Sequence, residues 1–297
     1  VLVVQDGNIS HQKGYGFSNI DSKTVNTTKT QYLIGSLSKQ FTALAIMQLQ
    51  EQGLLHLDDK ISEYLSNFPN GEKISIKNLL NHSSGLPDYI DDWDRIKYQE
   101  LTPDQLIALF KDKPLRFEPG SKVRYSSSGY VVAGKIIEQV SGLKYAEYIN
   151  KNIFSPLGMV HSTYGLSENY AVGYKNNQPQ KKVNMSIVYS AGALSSSVLD
   201  LYLWDQSFYE FSLVAEESIA SIFPSDRHAL GRGFGSGKYK MVSGLGWGVY
   251  DTNYGPEYSH AGHLDGYSSL IARYPSKKAL IVILSNEDQY DVFSLQN

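Results

Sequence analysis

The sequence predicts an α/β fold in which one antiparallel sheet, built from both chain termini, is flanked by helices and carries an inserted α-rich domain. Strand-like patterns lie at both ends of the chain, and short helical patterns separated by Pro, Gly and Asn fill the middle. A chain of 297 residues also exceeds the needs of one small core. We therefore expect residues 1–60 and 231–297 to form the sheet domain and residues 61–230 to form the inserted, mostly helical domain.

The N-terminal segment is typical of a β-hairpin that leads into a helix. Residues 1–4 are apolar, residues 6–8 (Asp-Gly-Asn) favour a turn, and residues 13–18 would return as the second strand. Further along, apolar side chains recur at spacings of three and four until Gly53, which is typical of a helix stop. The pattern predicts that an extended segment enters a helix near Ser36.

The remaining predicted elements are short and are separated by turn residues. Helices are predicted over residues 103–110, 129–140 and 145–153. Strands are predicted over residues 257–261, 267–274 and 279–284. The last two strands are joined by Pro-Ser-Lys-Lys, whose composition favours a hairpin turn.

Composition excludes several classes of protein. The 30 acidic and 27 basic residues give a net charge of −3 with no basic stripe, so nucleic acid is not an expected partner. The apolar runs are too short to cross a bilayer. The absence of cysteine excludes disulfides, thiolate zinc and a cysteine nucleophile. Any export signal would lie upstream of Val1, and we expect an extracytoplasmic protein that is exported, or anchored through segments outside this chain.

The first chemical motif is Ser-x-x-Lys, which occurs three times, about as often as chance predicts. Only Ser36 and Lys39 lie at a predicted helix start, where positions i and i+3 share a face and the ammonium can reach the hydroxyl. The N-terminus of that helix would also offer backbone N–H groups to an oxyanion. Ser36 is therefore a candidate nucleophile, and the alternative is that it only caps the helix.

The second motif is Tyr-Ser-Ser at residues 125–127. A tyrosine has a reference pKa of about 10 and needs a nearby cation to act as a base near neutral pH. Lys39 could supply that charge to Tyr125. The alternative is that Tyr125 is a packing residue, since the chain has 22 tyrosines.

The third motif is His260-Ala261-Gly262-His263, near the end of a predicted strand. A metal site is disfavoured, because an odd spacing on a strand points the two imidazoles to opposite faces and no carboxylate completes a His-Glu-x-x-His pattern. Gly262 would let a substrate backbone lie close to this strand.

Taken in this order, the three motifs resemble those of the serine penicillin-recognising family, most closely its class C β-lactamase and DD-peptidase branch. The similarity covers nearly the whole chain and implies a β-lactamase/transpeptidase-like fold. Further family-like phrases occur at residues 34–42, 79–87, 117–130, 156–159, 244–248, 260–262 and 266–268.

The resemblance implies a role for each matched position, in a site between the two domains. Ser36 corresponds to the acylated nucleophile, Lys39 to its helix partner and Tyr125 to the general base. Residues 260–262 correspond to the third motif, and the backbone N–H groups of Ser36 and His263 to the oxyanion hole. Ser127 departs from the family, because an Asn that contacts the substrate usually stands there. His82, in the phrase at 79–87, is expected to hold a loop.

The function implied is that of a serine acyl hydrolase with a Ser36 acyl-enzyme, most closely a penicillin-binding DD-peptidase-like enzyme that acts on D-Ala-type peptides. A class C-like β-lactamase and a carboxylesterase are alternatives within the same chemistry. A cell-wall binding or sensing module is the non-enzymatic alternative. The expected partner is a small-molecule or peptide substrate: a D-Ala peptide, a β-lactam or an ester. No cofactor and no bound metal are expected. Ser127, His260, Gly262 and His263 are the candidate substrate-binding residues.

Overall fold

A computed structural model describes residues 1–168, 170–223, 241–290 and 292. Its main sheet has seven antiparallel strands in the order β10-β11-β12-β13-β14-β1-β2, so strands from both ends of the sequence lie side by side. This confirms the predicted α/β fold. The strands are β1 Leu2–Gln5, β2 Asn8–Gln12, β3 Phe17–Asn19, β4 Thr24–Val25, β5 Tyr32–Leu33, β6 Thr163–Tyr164, β7 Tyr174–Lys175, β8 Gln178–Pro179, β9 Leu194–Ser196, β10 Met241–Ser243, β11 Gly248–Thr252, β12 Gly255–Leu264, β13 Tyr267–Tyr274 and β14 Ala279–Ser285.

Helices dominate the part of the chain between β5 and β10. They are α1 Ser38–Glu51, α2 Ile61–Tyr64, α3 Ile76–Leu80, α4 Trp93–Ile96, α5 Pro103–Ala108, α6 Ser127–Ser141, α7 Tyr145–Ile149, α8 Ser155–Leu157, α9 Met185–Gly192, α10 Val198–Glu210 and α11 Glu216–Ile222. Within the described residues, no helix is both long and apolar enough to cross a membrane. The predicted domain boundary at residues 230 and 231 lies outside the described residues, so the two-domain division stays a prediction.

The N-terminal hairpin is tighter than the sequence pattern indicated. Asp6 and Gly7 both have positive φ, +49° and +81°, which is the geometry of a two-residue hairpin turn that matches strand twist. The second strand therefore begins at Asn8, directly opposite Gln5. Residues 13–18 were predicted to form this strand, but the chain instead turns away there, and β3 pairs with β4.

The longer predicted helices and strands are present with shifted ends. Helix α6 starts two residues before the predicted position and ends at Ser141, where it is capped by Gly142 with a φ of +71°. The segment predicted as one helix from residue 145 changes into a π-helical turn at Asn150–Phe154. Strand β12 extends to Leu264, so the whole His-Ala-Gly-His motif lies inside the C-terminal end of the strand.

A small three-stranded sheet, β5-β9-β6, positions the start of α1. The backbone of Ile34 donates to the carbonyl of Leu194 at 3.0 Å, and the backbone of Leu194 in turn donates to the Ser38 hydroxyl at 3.1 Å. From Gln31 to Leu49 every residue is buried except Ser36. The chain is thus anchored on both sides of one partly exposed serine.

Candidate active site

Ser36 lies in a 3₁₀ turn, Gly35–Leu37, which leads directly into α1. Gly35 has a φ of +51°, and a Cβ atom there would lie 2.9 Å from both the backbone nitrogen and the backbone oxygen of His263. Only glycine satisfies both the backbone angle and the close approach. The turn is therefore held against β12, and Ser36 remains partly exposed.

The Lys39 side chain lies one turn further along and is almost completely buried. Its Nζ donates to Ser36 Oγ at 3.1 Å and to the carbonyl of Ala191 at 2.8 Å. Burial lowers the pKa of Lys39 to about 7, against a smaller opposing effect of Asp88. Near neutral pH a large share of the lysine is therefore a neutral amine in contact with the serine hydroxyl.

Tyr125 completes this group from the helical side of the cleft. Its hydroxyl is hydrogen-bonded to the Ser36 side chain, and Lys39 Nζ lies 4.9 Å from the centre of its ring. Burial raises the pKa of Tyr125, and the hydrogen bond from Ser36 only partly opposes this effect. Desolvation therefore opposes an ionised Tyr125, and the expectation that Lys39 keeps it ionised stays a prediction.

His82 holds the loop that carries Tyr125, as the sequence predicted. Its ring stacks on Tyr125 with centroids 4.3 Å apart, and its Nδ1 accepts the backbone N–H of Ser126 at 3.2 Å. Its carbonyl accepts the backbone N–H of Arg124 at 2.9 Å. Burial places the pKa of His82 well below its ordinary value, so the imidazole is neutral and fixes the loop by packing and hydrogen bonding.

Ser127 is the first residue of α6 and is buried. Its backbone N–H donates to Oδ2 of Asp88 at 3.1 Å, while Oδ1 accepts the backbone N–H of Ile90 at 3.4 Å. Asp88 thus joins the second motif to the turn at Tyr89–Asp92. Sequence reasoning did not single out Asp88, although it directly follows the phrase at 79–87 that contains His82.

His260 and His263 lie on opposite faces of β12, as their spacing predicts. The ring of His260 lies 6.0 Å from that of Tyr125, whereas the His263 side chain is exposed. Burial, with a smaller contribution from the Lys39 charge, lowers the pKa of His260 to about 4. His260 is therefore neutral near pH 7 and does not provide the cation that would hold a substrate carboxylate.

Gly262 is required for a different contact from the expected one. A Cβ atom at this position would overlap the carbonyl oxygen of Ile34, two residues before Ser36. The bare face of Gly262 thus receives the chain's own backbone, and not that of a substrate as the sequence suggested. Together with the Gly35 contact, this brings the segment that carries Ser36 and the backbone of His263 together.

A kink in α9 supplies the acceptor for Lys39. Tyr189 has φ +37° and ψ −131° inside this helix, a conformation that interrupts the regular backbone hydrogen bonds. The carbonyl of Ser190 accepts the Thr42 hydroxyl at 2.6 Å, and the carbonyl of Ala191 accepts Lys39. Helix α9 was not among the helices predicted from the sequence.

The partly exposed Ser36 hydroxyl contacts a buried amine and a phenol, and it lies beside a sheet edge that is flanked by helices. These features define the class: the protein is a serine hydrolase. Residues 1–295 match the family model described as Beta-lactamase, and the chain belongs to this family.

Two bacterial relatives and one solved structure agree with that assignment. The chain is 30% identical to penicillin-binding protein 4* of Bacillus subtilis, over 97% of this chain and 68% of the relative. It is 32% identical to the putative penicillin-binding protein PbpX of the same organism, over 96% and 69%. The octameric penicillin-binding protein homologue from Pyrococcus abyssi superposes with a TM-score of 0.82 at 32% identity, covering 97% of this chain and 69% of that one.

Proposed function

We propose that the protein is a DD-peptidase-like hydrolase that forms an acyl-enzyme on Ser36 with D-Ala-type peptides or related amides. The observation that carries this proposal is the contact of Lys39 Nζ with Ser36 Oγ at 3.1 Å, on a hydroxyl that also bonds to Tyr125. A hydroxyl between an amine and a phenol has a proton acceptor and a proton donor within reach. In keeping with the names of its relatives, we propose an extracytoplasmic location.

In the proposed acylation, the neutral form of Lys39 takes the proton from Ser36 as Oγ attacks the substrate carbonyl. The tetrahedral oxyanion is stabilised by the backbone N–H groups of Ser36 and His263. Tyr125 donates its proton to the leaving amine, and the proton held by Lys39 restores the phenol. Water then attacks the ester with the same groups in reversed roles, and the acid is released.

This assignment of base and acid follows the electrostatics of the two side chains. A lysine whose pKa is about 7 is available as a base near neutral pH. A phenol whose pKa is raised by burial is a poor source of phenolate but remains a hydrogen-bond donor. Lys39 is therefore the proposed proton acceptor, in place of the Tyr125 phenolate that the sequence suggested.

The test is a substrate panel in the unchanged enzyme and in Ser36→Ala. We expect turnover of a D-Ala-D-Ala peptide or a simple D-Ala amide, a covalent adduct at Ser36 by mass spectrometry, and loss of both in the variant with the fold retained. A chromogenic cephalosporin and a short-chain nitrophenyl ester test the β-lactamase and carboxylesterase alternatives. Normal turnover by Ser36→Ala would contradict the proposal.

A further inference from the structure

The end of strand β12, from His260 to Leu264, has a free outer edge in the part of the chain that the structure describes. Strand β11 pairs with β12 only from Gly255 to Ser259, whereas β13 pairs with the opposite edge as far as Leu264. A free edge of this kind can bind an extended chain through its backbone, as an added strand. The free edge is about 16 Å long, since a strand rises about 3.3 Å per residue.

The turn after β12 determines which backbone groups the free edge presents. Leu264 and Tyr267 enclose a two-residue turn, and such a closing pair exchanges both backbone hydrogen bonds. The pattern alternates along an antiparallel ladder, so His263 and Ala261 direct their N–H and C=O groups away from β13 and toward the free edge. His263, whose N–H is one of the two proposed oxyanion donors, is therefore the last outward-facing residue of the strand.

A contact between the two walls of the site lies directly beyond His263. The Asp265 carboxylate accepts the Trp93 indole N–H at 3.1 Å and is paired with Lys97 Nζ at 2.9 Å. The side chains of Lys97 and Asp265 are only 17% and 21% exposed, so this ion pair is largely shielded from water. We call Trp93, Lys97 and Asp265 the cleft bridge.

The segment that carries the helical half of the cleft bridge is anchored at both ends. At its start, the backbone N–H of Tyr89 donates to the Ser128 hydroxyl at 3.0 Å, and the Tyr89 hydroxyl donates to the carbonyl of Ile187 at 2.7 Å. At its end, the carbonyl of Lys97 accepts the backbone N–H of Asn184 at 2.8 Å. The cleft bridge is therefore a fixed wall across the end of the free edge.

The acyl half of a substrate points toward the cleft bridge. In the proposed acylation the leaving amine takes its proton from Tyr125, whose ring lies 6.0 Å from that of His260. The leaving group therefore lies on the His260 side of His263, and the acyl half lies on the Asp265 side. Asp265 follows His263 by two residues, about 6.6 Å along an extended chain. This distance accommodates the acylating residue and a small N-acyl group, but no further extended peptide.

We propose that the cleft bridge limits the length of the acyl half, so that Ser36 hydrolyses amides of a single N-acylated D-residue much faster than those of a longer peptide. The inference rests on the proposed function and adds an acyl-length limit to it. A longer acyl chain that continues along the free edge meets the Trp93 ring and the ion pair of Lys97 with Asp265. It must break these contacts or leave the edge, and either outcome weakens binding in the transition state.

Two pairs of substrates test this limit. The acyl pair is N-acetyl-D-alanine 4-nitroanilide and N-acetyl-glycyl-glycyl-D-alanine 4-nitroanilide. The leaving-group pair is N-acetyl-D-alanyl-D-alanine amide and the same compound extended by two glycines before the amide. We expect kcat/KM to favour the shorter member of the acyl pair by about tenfold or more, the range for a pocket that excludes additional groups. The leaving-group pair should show no such preference, because the free edge continues on that side to His260.

Asp265→Ala should slow the shorter acyl substrate more than the longer one. It loosens the backbone at His263 for both substrates but removes the obstacle only for the longer one, so the preference should fall to about twofold or less. Lys97→Met keeps the aliphatic stem and breaks the same ion pair, so it should also reduce the preference and is the second variant if the first folds poorly. Asp104→Ala, which breaks the exposed ion pair with Lys135, is the matched control and should keep the preference.

The inference is overturned if the unchanged enzyme hydrolyses both members of the acyl pair equally well, or if the two bridge variants slow both members by the same factor, as a purely structural role would. An equal preference in the leaving-group pair would also overturn it, because substrate size alone would then decide. With Ser36-dependent turnover present, each of these results leaves the proposed function intact. If no substrate gives Ser36-dependent turnover, the proposed function fails and the inference with it.

Discussion

Lys39 is the residue whose environment most directly determines the chemistry available to Ser36. Its amine has two oxygen partners, Ser36 Oγ and the carbonyl of Ala191, and neither carries a charge. The neutral imidazoles of His82 and His260 and the phenol of Tyr125 surround it, and Asp88 is the anion that acts on it. Desolvation of Lys39 therefore outweighs the favourable charge of Asp88, and the pKa of Lys39 is lowered.

This predicts that activity is lost as the pH falls through about 7. A proton acceptor must be unprotonated, and Lys39 is protonated below its pKa, so kcat/KM should rise with pH and level off above about 8. Lys39→Met should lower kcat/KM by about two to four orders of magnitude. A pH profile of the unchanged enzyme that is flat from pH 5 to 9 would show that another group is the base.

Ser127 allows a second prediction at the scale of one residue. If this position faces the substrate, Ser127→Asn adds an amide donor and acceptor that serine cannot place at the same distance. Amide substrates should bind more tightly by about 0.5–1.5 kcal/mol, the net value of one hydrogen bond, while simple esters should be almost unaffected. Equal changes in kcat/KM for a peptide and an ester would remove Ser127 from the substrate-binding residues.

Some residues of the site could be predicted from the sequence and others could not. The Ser36/Lys39 pair could be distinguished from the two other Ser-x-x-Lys occurrences because it lies at a predicted helix start, where positions i and i+3 share a face. The loop role of His82 followed from the phrase that contains it. The contact that requires Gly262 was not predictable, because it depends on Ile34, which is more than two hundred residues away in the chain.

At the scale of elements, a threonine of helix α1 forms a polar contact with α9 in the core, close to the contact made by Lys39. The Thr42 hydroxyl is buried and lies 2.7 Å from the Tyr145 hydroxyl and 2.6 Å from the carbonyl of Ser190. This carbonyl precedes that of Ala191, the acceptor for Lys39. The kink at Tyr189 is therefore stabilised by the same helix that presents the catalytic lysine.

Thr42→Val should destabilise the protein with little change in volume. It leaves the Ser190 carbonyl and the Tyr145 hydroxyl with one partner fewer in a buried position, which costs about 1–3 kcal/mol. Urea denaturation should show this loss, together with a lower kcat, because the acceptor for Lys39 becomes less well fixed. Thr28→Val, in the loop before β5, is the control and should change neither quantity by more than a small amount. A fully stable Thr42→Val would contradict this role of the hydroxyl.

Element length decided which parts of the fold could be predicted. Helix α6 and strands β13 and β14 have clear periodicity and strong turn residues at their ends, so their patterns located them within a few residues. Strands β5, β6 and β9 have two or three residues each, which is too short for a period. Their pairing depends on tertiary contacts, although this small sheet positions Ser36.

At the scale of the whole molecule, the helical region and the main sheet are joined beside the cleft by Asp265. This residue lies in the turn after β12, two positions beyond His263. The Trp93 indole donates to its Oδ1 at 3.1 Å, and Lys97 Nζ lies 2.9 Å from its Oδ2. Lys97 is also paired with Asp94 at 2.8 Å. Both donors come from the segment that follows Asp88, so the contact links two walls of the site.

We therefore expect Asp265→Ala to affect activity more than stability. The charged partner Lys97 retains Asp94, so the free energy of unfolding should fall by only about 1 kcal/mol, as for a partly exposed ion pair. Loss of the link should loosen the backbone at His263 and lower kcat/KM by about tenfold, since small displacements of positioning groups are costly.

Asp104→Ala is the matched control for this prediction, because it breaks the exposed ion pair with Lys135. It should leave kcat/KM unchanged. Trp93→Phe combined with Asp265→Ala should give a loss in kcat/KM smaller than the sum of the two single losses, because both remove the same contact; the coupling expected for a direct contact is about 0.5–3 kcal/mol. Strictly additive effects would mean that Trp93 and Asp265 act on the site independently, and the joint role of this link in positioning the cleft would then be wrong.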